Sequence, residues 1–216
     1  MLEVIPAINC AFGDTECVRA KFTIAEEFAK WAHLDIADGR FTANKTWNDP
    51  DQFSVFKSQF SKIQFEVHLM VEDVEAEAMR WLDAGAKRIV AHCEACDFAL
   101  AARLAEEAAK RGAEVMLSSS PETPAERYKE YFPILKAFQV LAVHPGLAGQ
   151  NFLPLTLDKV KFLRGEMPDA KIEVDGGINL ETARLSRAAG ADIVASASCI
   201  FLSGNPGVVY DELRVI

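Results

Sequence analysis

The sequence predicts one (β/α)₈ barrel, also called a TIM barrel, as a single domain over residues 1–216. Apolar runs of strand length alternate with helical segments, eight of each, in units of roughly 25 to 30 residues. The chain has 216 residues, 50% of them hydrophobic, which is enough to bury one large core. A doubly wound parallel sheet is the alternative, because the pattern alone does not show that the sheet closes.

The predicted strands are short apolar runs bounded by polar or glycine-containing segments. They cover residues 2–8, 32–37, 62–71, 87–92, 113–118, 137–144, 171–175 and 192–196. Helices are expected at 15–30, 53–60, 73–84, 97–111, 123–131, 155–165, 179–189 and 208–214, with a small turn at 197–202. Asp73 is a typical N-cap residue, and Gly85, Gly112 and Gly190 are typical helix ends.

Charge and cysteine usage limit the classes of partner. The net charge of −9 argues against nucleic acid or an anionic membrane surface, whereas backbone N–H groups can still bind a small anionic substrate locally. The N-terminus lacks a basic leader region, and no apolar run approaches about 18 residues, so no membrane partner is expected. The five cysteines are irregularly spaced in a chain too large to need disulfides, which favours a reducing cytoplasm.

Histidines and aspartates collect at the predicted ends of strands, where active sites of this fold lie. His33 and Asp35 fall on one face of the second strand, because side chains alternate along a strand. His68 ends the third strand and Asp175 the seventh. Asp38 falls on the other face and is assigned to a turn. His92 and His144 also follow strands, as supporting or merely hydrogen-bonded groups.

The set His33, Asp35, His68 and Asp175 is suited to one divalent metal ion: zinc, iron, manganese or cobalt. Such an ion could stabilise an enediolate formed when a carbon beside a carbonyl loses its proton. Asp35 and Asp175 would approach a central substrate from different sides, so one could remove a proton while the other delivers one to the opposite face. Inversion at that carbon would result.

Small residues in the loops after strands six to eight predict a phosphate site. Gly176 and Gly177 follow the seventh strand, and Ala197 and Ser198 follow the eighth. In this fold these loops often hold a phosphate together with a short extra helix. The segment Gly146, Leu147, Ala148, Gly149 is a flexible loop that could close over a ligand. Cys93 and Cys96 form a lone C-x-x-C pair, interpreted as buried or rim thiols.

Several stretches in order resemble the ribulose-phosphate 3-epimerase family. They are His33-Leu34-Asp35-Ile36-Ala37-Asp38-Gly39 with Phe41 and Asn44, Val67-His68-Leu69-Met70-Val71, Pro145-Gly146 with Gly149-Gln150, Glu173-Val174-Asp175-Gly176-Gly177 and Ser198-Cys199-Ile200-Phe201. The resemblance implies a barrel that interconverts D-ribulose 5-phosphate and D-xylulose 5-phosphate at C3 in the pentose phosphate pathway. It also implies that His33, Asp35, His68 and Asp175 bind a divalent metal, with the two aspartates as the acid–base pair. Homo-oligomers are frequent in the family.

The chain departs from the family pattern at several positions and is therefore a divergent member. The first strand ends Pro6-Ala7-Ile8-Asn9 where the family has Pro-Ser-Ile-Leu, so a substrate-facing hydroxyl is replaced and the Asn9 amide is the candidate to compensate. Ala37 replaces a usual Met, which predicts a roomier cavity floor. Ala148 and Ala197 replace usual glycines, which is tolerated only where φ is not positive. Met70, Gly146 and Gly149 complete the predicted substrate-binding residues.

Two alternatives to the pentose 5-phosphate reaction follow from these departures. Small Ala7 and Ala37 would make room for a larger ketose phosphate such as allulose 6-phosphate. The replaced serine and glycines would also suit a non-catalytic barrel that binds phosphate or metal. The related decarboxylases and hexulose-phosphate aldolases use Asp-x-Lys-x-x-Asp on a comparable strand. Ala37 stands at the Lys position, which argues against that class.

Overall fold

Parallel strands β1 to β8 form a closed barrel in chain order, with β8 paired to β1. The computed structural model describes residues 1–60, 62–147 and 149–216. The strands are β1 (Glu3–Ile8), β2 (Trp31–Ala37), β3 (Gln64–Met70), β4 (Arg88–His92), β5 (Glu114–Ser119), β6 (Ala137–Leu141), β7 (Lys171–Asp175) and β8 (Ile193–Ser196). The predicted (β/α)₈ barrel is confirmed, and the doubly wound sheet is excluded because the ring has no open edge.

Helices connect the strands on the outside of the barrel. They are α1 (Thr15–Glu26), α2 (Pro50–Lys57), α3 (Val74–Asp83), α4 (Phe98–Lys110), α5 (Leu157–Glu166), α6 (Leu180–Ala189), α7 (Ser198–Phe201) and α8 (Pro206–Arg214). The Asp73 carboxylate accepts the Ala76 N–H and starts α3, as predicted. Among the described residues, none of the helices combines the length and the apolar character needed to cross a membrane.

Two short segments differ from their predicted form. The helix expected at 123–131 is a 3₁₀ helix (Ala125–Tyr131), and the turn expected at 197–202 contains α7. In the 3₁₀ segment the buried Tyr128 and Tyr131 hydroxyls donate to the backbone carbonyls of Gln139 and Cys96. Because these tertiary bonds hold the segment, its conformation is not set by helical periodicity alone.

Side chains alternate between the outside and the inside of the barrel along each strand. The outward side chains pack under the helices in one large core. Inside the barrel, a small apolar cluster consists of Ile5, Val90, Met116, Ala137 and Ile193. Arg88 and Glu114 lie two residues before Val90 and Met116 on the same strands, so charged and apolar side chains are interleaved inside the barrel.

A buried charged layer inside the barrel, below His33, was not predicted. Arg88 donates to the Glu66 carboxylate, and its Nε donates to Glu114 Oε1 at 2.7 Å. Glu173 accepts from Gln139 Nε2 at 2.8 Å. Glu66 and Glu173 are both fully buried. Three acidic groups therefore share one guanidinium inside the barrel.

One pair of cysteines is bonded, contrary to the expectation that this chain needs no disulfides. Cys10 follows β1 and Cys17 lies in the first turn of α1, and their sulfur atoms are joined. The loop between them returns on itself, which brings the two Cα atoms to 6.0 Å. Cys93, Cys96 and Cys199 are free thiols. The odd cysteine count was therefore a poor guide to pairing, because pairing depends on the path of this one loop.

Reduction of this disulfide is expected to lower the free energy of unfolding by about 2 kcal/mol, because the bond closes a short loop in the unfolded chain. For a chain of this size that corresponds to a fall in Tm of roughly 4–8 °C. Thermal unfolding with and without dithiothreitol measures the effect. The double variant Cys10→Ser/Cys17→Ser should be insensitive to the reductant. Equal sensitivity in the variant and the native chain would contradict this prediction.

Candidate active site and metal centre

A cleft at the C-terminal ends of the strands gathers the residues that the sequence analysis singled out. It holds about 530 Å³ of space between protein atoms, part of which is open to bulk solvent. The predicted substrate-binding residues that line it are Asn9, Met70, Gly146, Gly149, Gly176, Gly177, Ala197 and Ser198. Ala148, also predicted, lies outside the described residues. Asp35, His68 and Asp175 form part of the cleft wall, and His33 is buried behind them.

The four predicted metal ligands converge at the floor of this cleft. Asp35 Oδ1 lies 3.2 Å from both His33 Nε2 and His68 Nδ1. Asp175 Oδ2 lies 3.4 Å from His68 Nδ1 and 3.7 Å from His33 Nε2. One donor atom from each of the four residues lies within 4.8 Å of the others. Two imidazoles and two carboxylates at this spacing fit a divalent cation.

The pKa directions at this cluster reflect tight contact between acids and imidazoles. Burial opposes ionisation of Asp35, but hydrogen bonds from His33 and His68 outweigh it and hold the pKa of this carboxyl well below its usual range. Burial also opposes a charge on His33, yet the Asp175 and Asp35 carboxylates raise the pKa of that imidazole well above its usual range. The same two carboxylates raise the pKa of His68 against its burial. The site therefore favours positive charge at its centre.

The buried charged layer orients His33 from below. His33 Nδ1 lies 2.7 Å from Glu66 Oε1. Hydrogen bonds from His33 and Arg88 outweigh the burial of Glu66 and lower the pKa of this carboxyl to about 2. An ionised carboxylate only accepts, so Nδ1 keeps its proton, and Nε2, which faces Asp35, is the nitrogen that can give one up. Glu66 thus selects the nitrogen that His33 presents to the cleft.

The Asn9 side chain contacts both Asp35, one of the two predicted bases, and the loop after β6. Its Nδ2 donates to Asp35 Oδ2 at 3.1 Å and to the Gly146 carbonyl at 3.3 Å. The loop is also held by the Thr42 hydroxyl, which donates to the Pro145 carbonyl at 3.0 Å. The amide that replaces the family leucine is therefore part of the cleft wall.

The two glycines after β7 have conformations that require glycine. Gly176 and Gly177 have φ of 100° and 65°. A Cβ on Gly177 would lie 2.6 Å from the Phe152 backbone nitrogen. Ala197 has φ of −99°, so its alanine is compatible with the local backbone. α7 follows it, which is the short extra helix expected beside a phosphate site in this fold.

Ala7 and Ala37 occupy different environments. Ala7 lines the cleft, as expected for a residue that replaces a substrate-facing serine. Ala37 is fully buried and does not line the cleft, so the expected enlargement of the cavity floor at this position is wrong. Thr46 folds back over the end of β2, where its hydroxyl accepts from the Ala37 N–H and donates to the Asp35 carbonyl.

The remaining candidate residues have structural environments. The Asp38 carboxylate accepts the backbone N–H groups of Arg40, Phe41 and Glu72, which agrees with its assignment to a turn. His144 is 61% exposed and pairs with Glu122. Cys93 and Cys96 are buried, and burial raises the pKa of each thiol to about 12, as expected for inert thiols.

A known protein family matches most of the chain. The family model described as the ribulose-phosphate 3 epimerase family matches residues 11–201. The chain belongs to this family. It is accordingly an enzyme, an isomerase of the epimerase type, and the alternative of a non-catalytic binding barrel is set aside.

Curated members of the ribulose-phosphate 3-epimerase family align with the chain over much of their own length. The ribulose-phosphate 3-epimerase of Chlamydia trachomatis is 34% identical over 209 residues, with 92% of this chain and 85% of that protein covered. The enzyme of the same name from Mycobacterium tuberculosis H37Rv is 32% identical over 191 residues, covering 86% and 81% of the two chains. The Schizosaccharomyces pombe enzyme is 32% identical over 186 residues, covering 85% and 80%.

Solved structures with low sequence identity share the fold. A 3-hexulose-6-phosphate synthase superposes with a TM-score of 0.73 at 17% identity and 99% coverage of both chains. KGPDC from Streptococcus mutans superposes with a TM-score of 0.69 at 15% identity, covering 100% of this chain and 99% of the other. At these identities the likeness bears on the barrel alone.

Proposed function

We propose that this epimerase interconverts D-ribulose 5-phosphate and D-xylulose 5-phosphate by two-base proton transfer at C3, with one divalent metal ion as cofactor. The observation that carries the proposal is the meeting of Asp35 and Asp175 at one point of the cleft. Oxygens of the two carboxylates lie 3.2 and 3.4 Å from the same atom, His68 Nδ1. They reach that point from β2 and β7, which are separated by β1 and β8 in the ring.

The two carboxylates have the roles of base and acid in this proposal. One accepts the C3 proton from one face of the substrate, and the other, already protonated, donates a proton to the opposite face. Reversal of the reaction exchanges the two roles. Neither aspartate is freely exposed: Asp35 is 9% and Asp175 is 7% accessible.

The metal ligands in this proposal are His33, Asp35, His68 and Asp175. When bound, a divalent cation would supply electrostatic stabilisation of the negative charge that develops on the substrate oxygens. The chain's own contribution is to fix the four donor groups by contacts behind them. Glu66 holds His33 from the barrel interior, and the Asn9 amide holds the second oxygen of Asp35.

The phosphate would bind at the other end of the cleft, where the loops after β7 and β8 meet. Gly176, Gly177, Ala197 and Ser198 line this end, where backbone N–H groups and the start of α7 could bind an anion. Gly146 and Gly149 lie in the loop that faces it. The site would thus hold the phosphate away from the carboxylates and place the sugar carbons between the two ends.

A larger ketose phosphate such as allulose 6-phosphate is the second candidate substrate. The observation that favours it is the small Ala7 side chain in the cleft wall. Ala37 gives no such support, because it is buried away from the cleft.

Residence in a reducing cytoplasm and assembly into a homo-oligomer remain predictions.

Solvent exchange at C3 tests the reaction directly. Protein loaded with Zn²⁺, Mn²⁺, Fe²⁺ or Co²⁺ is incubated with D-ribulose 5-phosphate in D₂O, and the C3 proton is followed by NMR. We expect loss of the C3 proton signal together with formation of D-xylulose 5-phosphate. A parallel sample with allulose 6-phosphate compares the two substrates. If the C3 proton does not exchange and no D-xylulose 5-phosphate forms with any of the four ions, the pentose phosphate reaction is excluded.

A further inference from the structure

A third histidine lies directly behind the metal ligand His68. His68 Nδ1 faces the two aspartates, and its other nitrogen, Nε2, lies 2.8 Å from His92 Nε2. The two rings are nearly parallel, with an interplanar angle of 13°. Both side chains are fully buried, and Phe41 packs on His92 with ring centroids 4.9 Å apart. The contact between the two nitrogens is therefore shielded from water.

Glu94 holds His92 from the far side. His92 Nδ1 lies 3.2 Å from Glu94 Oε2. The other oxygen, Oε1, accepts the Ser120 N–H at 2.8 Å and the Thr123 hydroxyl. The carboxylate is thus fixed by groups that donate to it, and it has no proton to give to His92.

These contacts determine where the protons lie. A carboxylate only accepts, so His92 Nδ1 must carry the proton of that hydrogen bond. A neutral imidazole has one protonated nitrogen, which leaves a lone pair on His92 Nε2. That lone pair accepts from His68 Nε2–H, because one of the two nitrogens has to be the donor. With Nε2 protonated, Nδ1 is the nitrogen that can give up its proton at the two aspartates and offer a lone pair to a cation.

We propose that Glu94 and His92 are positioning residues, which fix the tautomer of His68 so that Nδ1 is presented to a divalent cation. The inference rests on the metal site of the proposed function. Such outer partners of a ligand imidazole hold its orientation as well as its proton. Neither residue lies among the four ligands, and His33 has a separate support in Glu66. Loss of His92 should therefore weaken one ligand and leave the other in place.

Two substitutions at His92 separate positioning from packing. His92→Phe keeps a flat ring between His68 and Phe41 but removes the acceptor. His92→Gln can place its side-chain carbonyl oxygen near His68 Nε2 and so restores an acceptor. His144→Phe is the matched control: His144 also lines the cleft and pairs with a glutamate, but it is 61% exposed and is not one of the four residues whose donor atoms converge. Thermal unfolding of the metal-free proteins checks that all three variants are folded.

Zn²⁺ affinity, measured by competition with a chromophoric chelator, is the first readout. We expect His92→Phe to bind Zn²⁺ roughly 10–100-fold more weakly, as found for outer partners of metal-bound histidines. His92→Gln should recover part of that loss, and His144→Phe should match the unsubstituted protein. Equal Zn²⁺ affinity in His92→Phe and the unsubstituted protein would overturn the inference. Failure of the unsubstituted protein itself to bind Zn²⁺ would overturn both the metal site and this inference.

The second readout is the histidine tautomer in the metal-free protein, observed by long-range ¹H–¹⁵N NMR of the imidazoles. We expect a proton on Nε2 of His68, a proton on Nδ1 of His92 and none on Nε2 of His92. In Glu94→Ala, His92 should populate both tautomers, because the acceptor on Nδ1 is gone. An unprotonated Nε2 on His68 would refute the positioning role, and so would a single unchanged His92 tautomer in Glu94→Ala. Either result would leave the epimerase assignment intact, because the NMR measurement does not involve the reaction.

Discussion

Asp175→Asn is expected to reduce the epimerisation rate by about 10³-fold or more, because an amide cannot accept or return the C3 proton. Exchange of the C3 proton with solvent should continue, but for only one of the two epimers. With one carboxylate left, the protein can still exchange the C3 proton of the epimer whose proton faces Asp35. Exchange without inversion in D₂O, followed by NMR with each epimer separately, is the measurement.

Asp35→Asn should show the mirror-image result, with exchange retained only for the other epimer. Asp158→Asn is the matched control, because this aspartate is exposed on α5 and does not line the cleft. If both active-site variants keep exchange with the same epimer, a single base serves both faces. Unchanged turnover in Asp175→Asn would remove this residue from its proposed role.

Glu66→Gln is expected to lower the free energy of unfolding by up to about 3–5 kcal/mol, because it removes the buried carboxylate partner of Arg88 and leaves the half-exposed Glu114 to balance the buried guanidinium. Glu66 also contacts His33, so its loss affects two buried groups. Glu173→Gln is the matched comparison in the same layer. Burial and the nearby Glu66 charge raise the pKa of Glu173 to about 8, so this group is neutral at pH 6 and an amide replaces it with little loss. Denaturant unfolding of metal-free proteins measures both.

The two variants should also differ in pH dependence. Between pH 4.5, the ordinary pKa of the group, and about 8, folded Glu173 holds a proton that the unfolded chain has released. The free energy of unfolding of the native chain therefore falls as pH rises through this window, by on the order of a few kcal/mol. Glu173→Gln removes that dependence and should be the more stable protein at pH 9. A parallel pH profile in the variant and the native chain would show that Glu173 is ionised throughout.

The convergence of the four candidate metal ligands could be predicted, because the alternation of side chains along a strand fixes the face on which each one lies. His33 and Asp35 are two residues apart on β2, and this spacing alone places them on one face. Closure of the barrel then brings the ends of β3 and β7 beside them. The tight loop after β7 could also be expected from its two consecutive glycines, because glycine is the residue that most readily adopts the positive φ found there.

The parts that escaped prediction depend on contacts between distant segments. Glu66 and Glu173 lie two residues before His68 and Asp175, so the same alternation places them inward, but their partner Arg88 is known only once β4 is in the ring. The burial of Ala37 involves Thr46, which returns from the following loop. Side-chain alternation predicts whether a residue points into the barrel. It does not predict whether that residue reaches the cleft, because a segment from elsewhere in the chain can pack over it.

The Asn9 amide has a consequence for how a substrate is admitted. A substrate hydroxyl that bonds to Asp35 Oδ2 has to compete with an internal amide, and not with water alone. The same amide donates to the Gly146 carbonyl, so its release would also remove a bond that holds the loop after β6. In the proposed reaction, Asn9 would therefore influence selectivity as a competitor for the Asp35 carboxylate, whereas the family serine, replaced here by Ala7, would face the substrate.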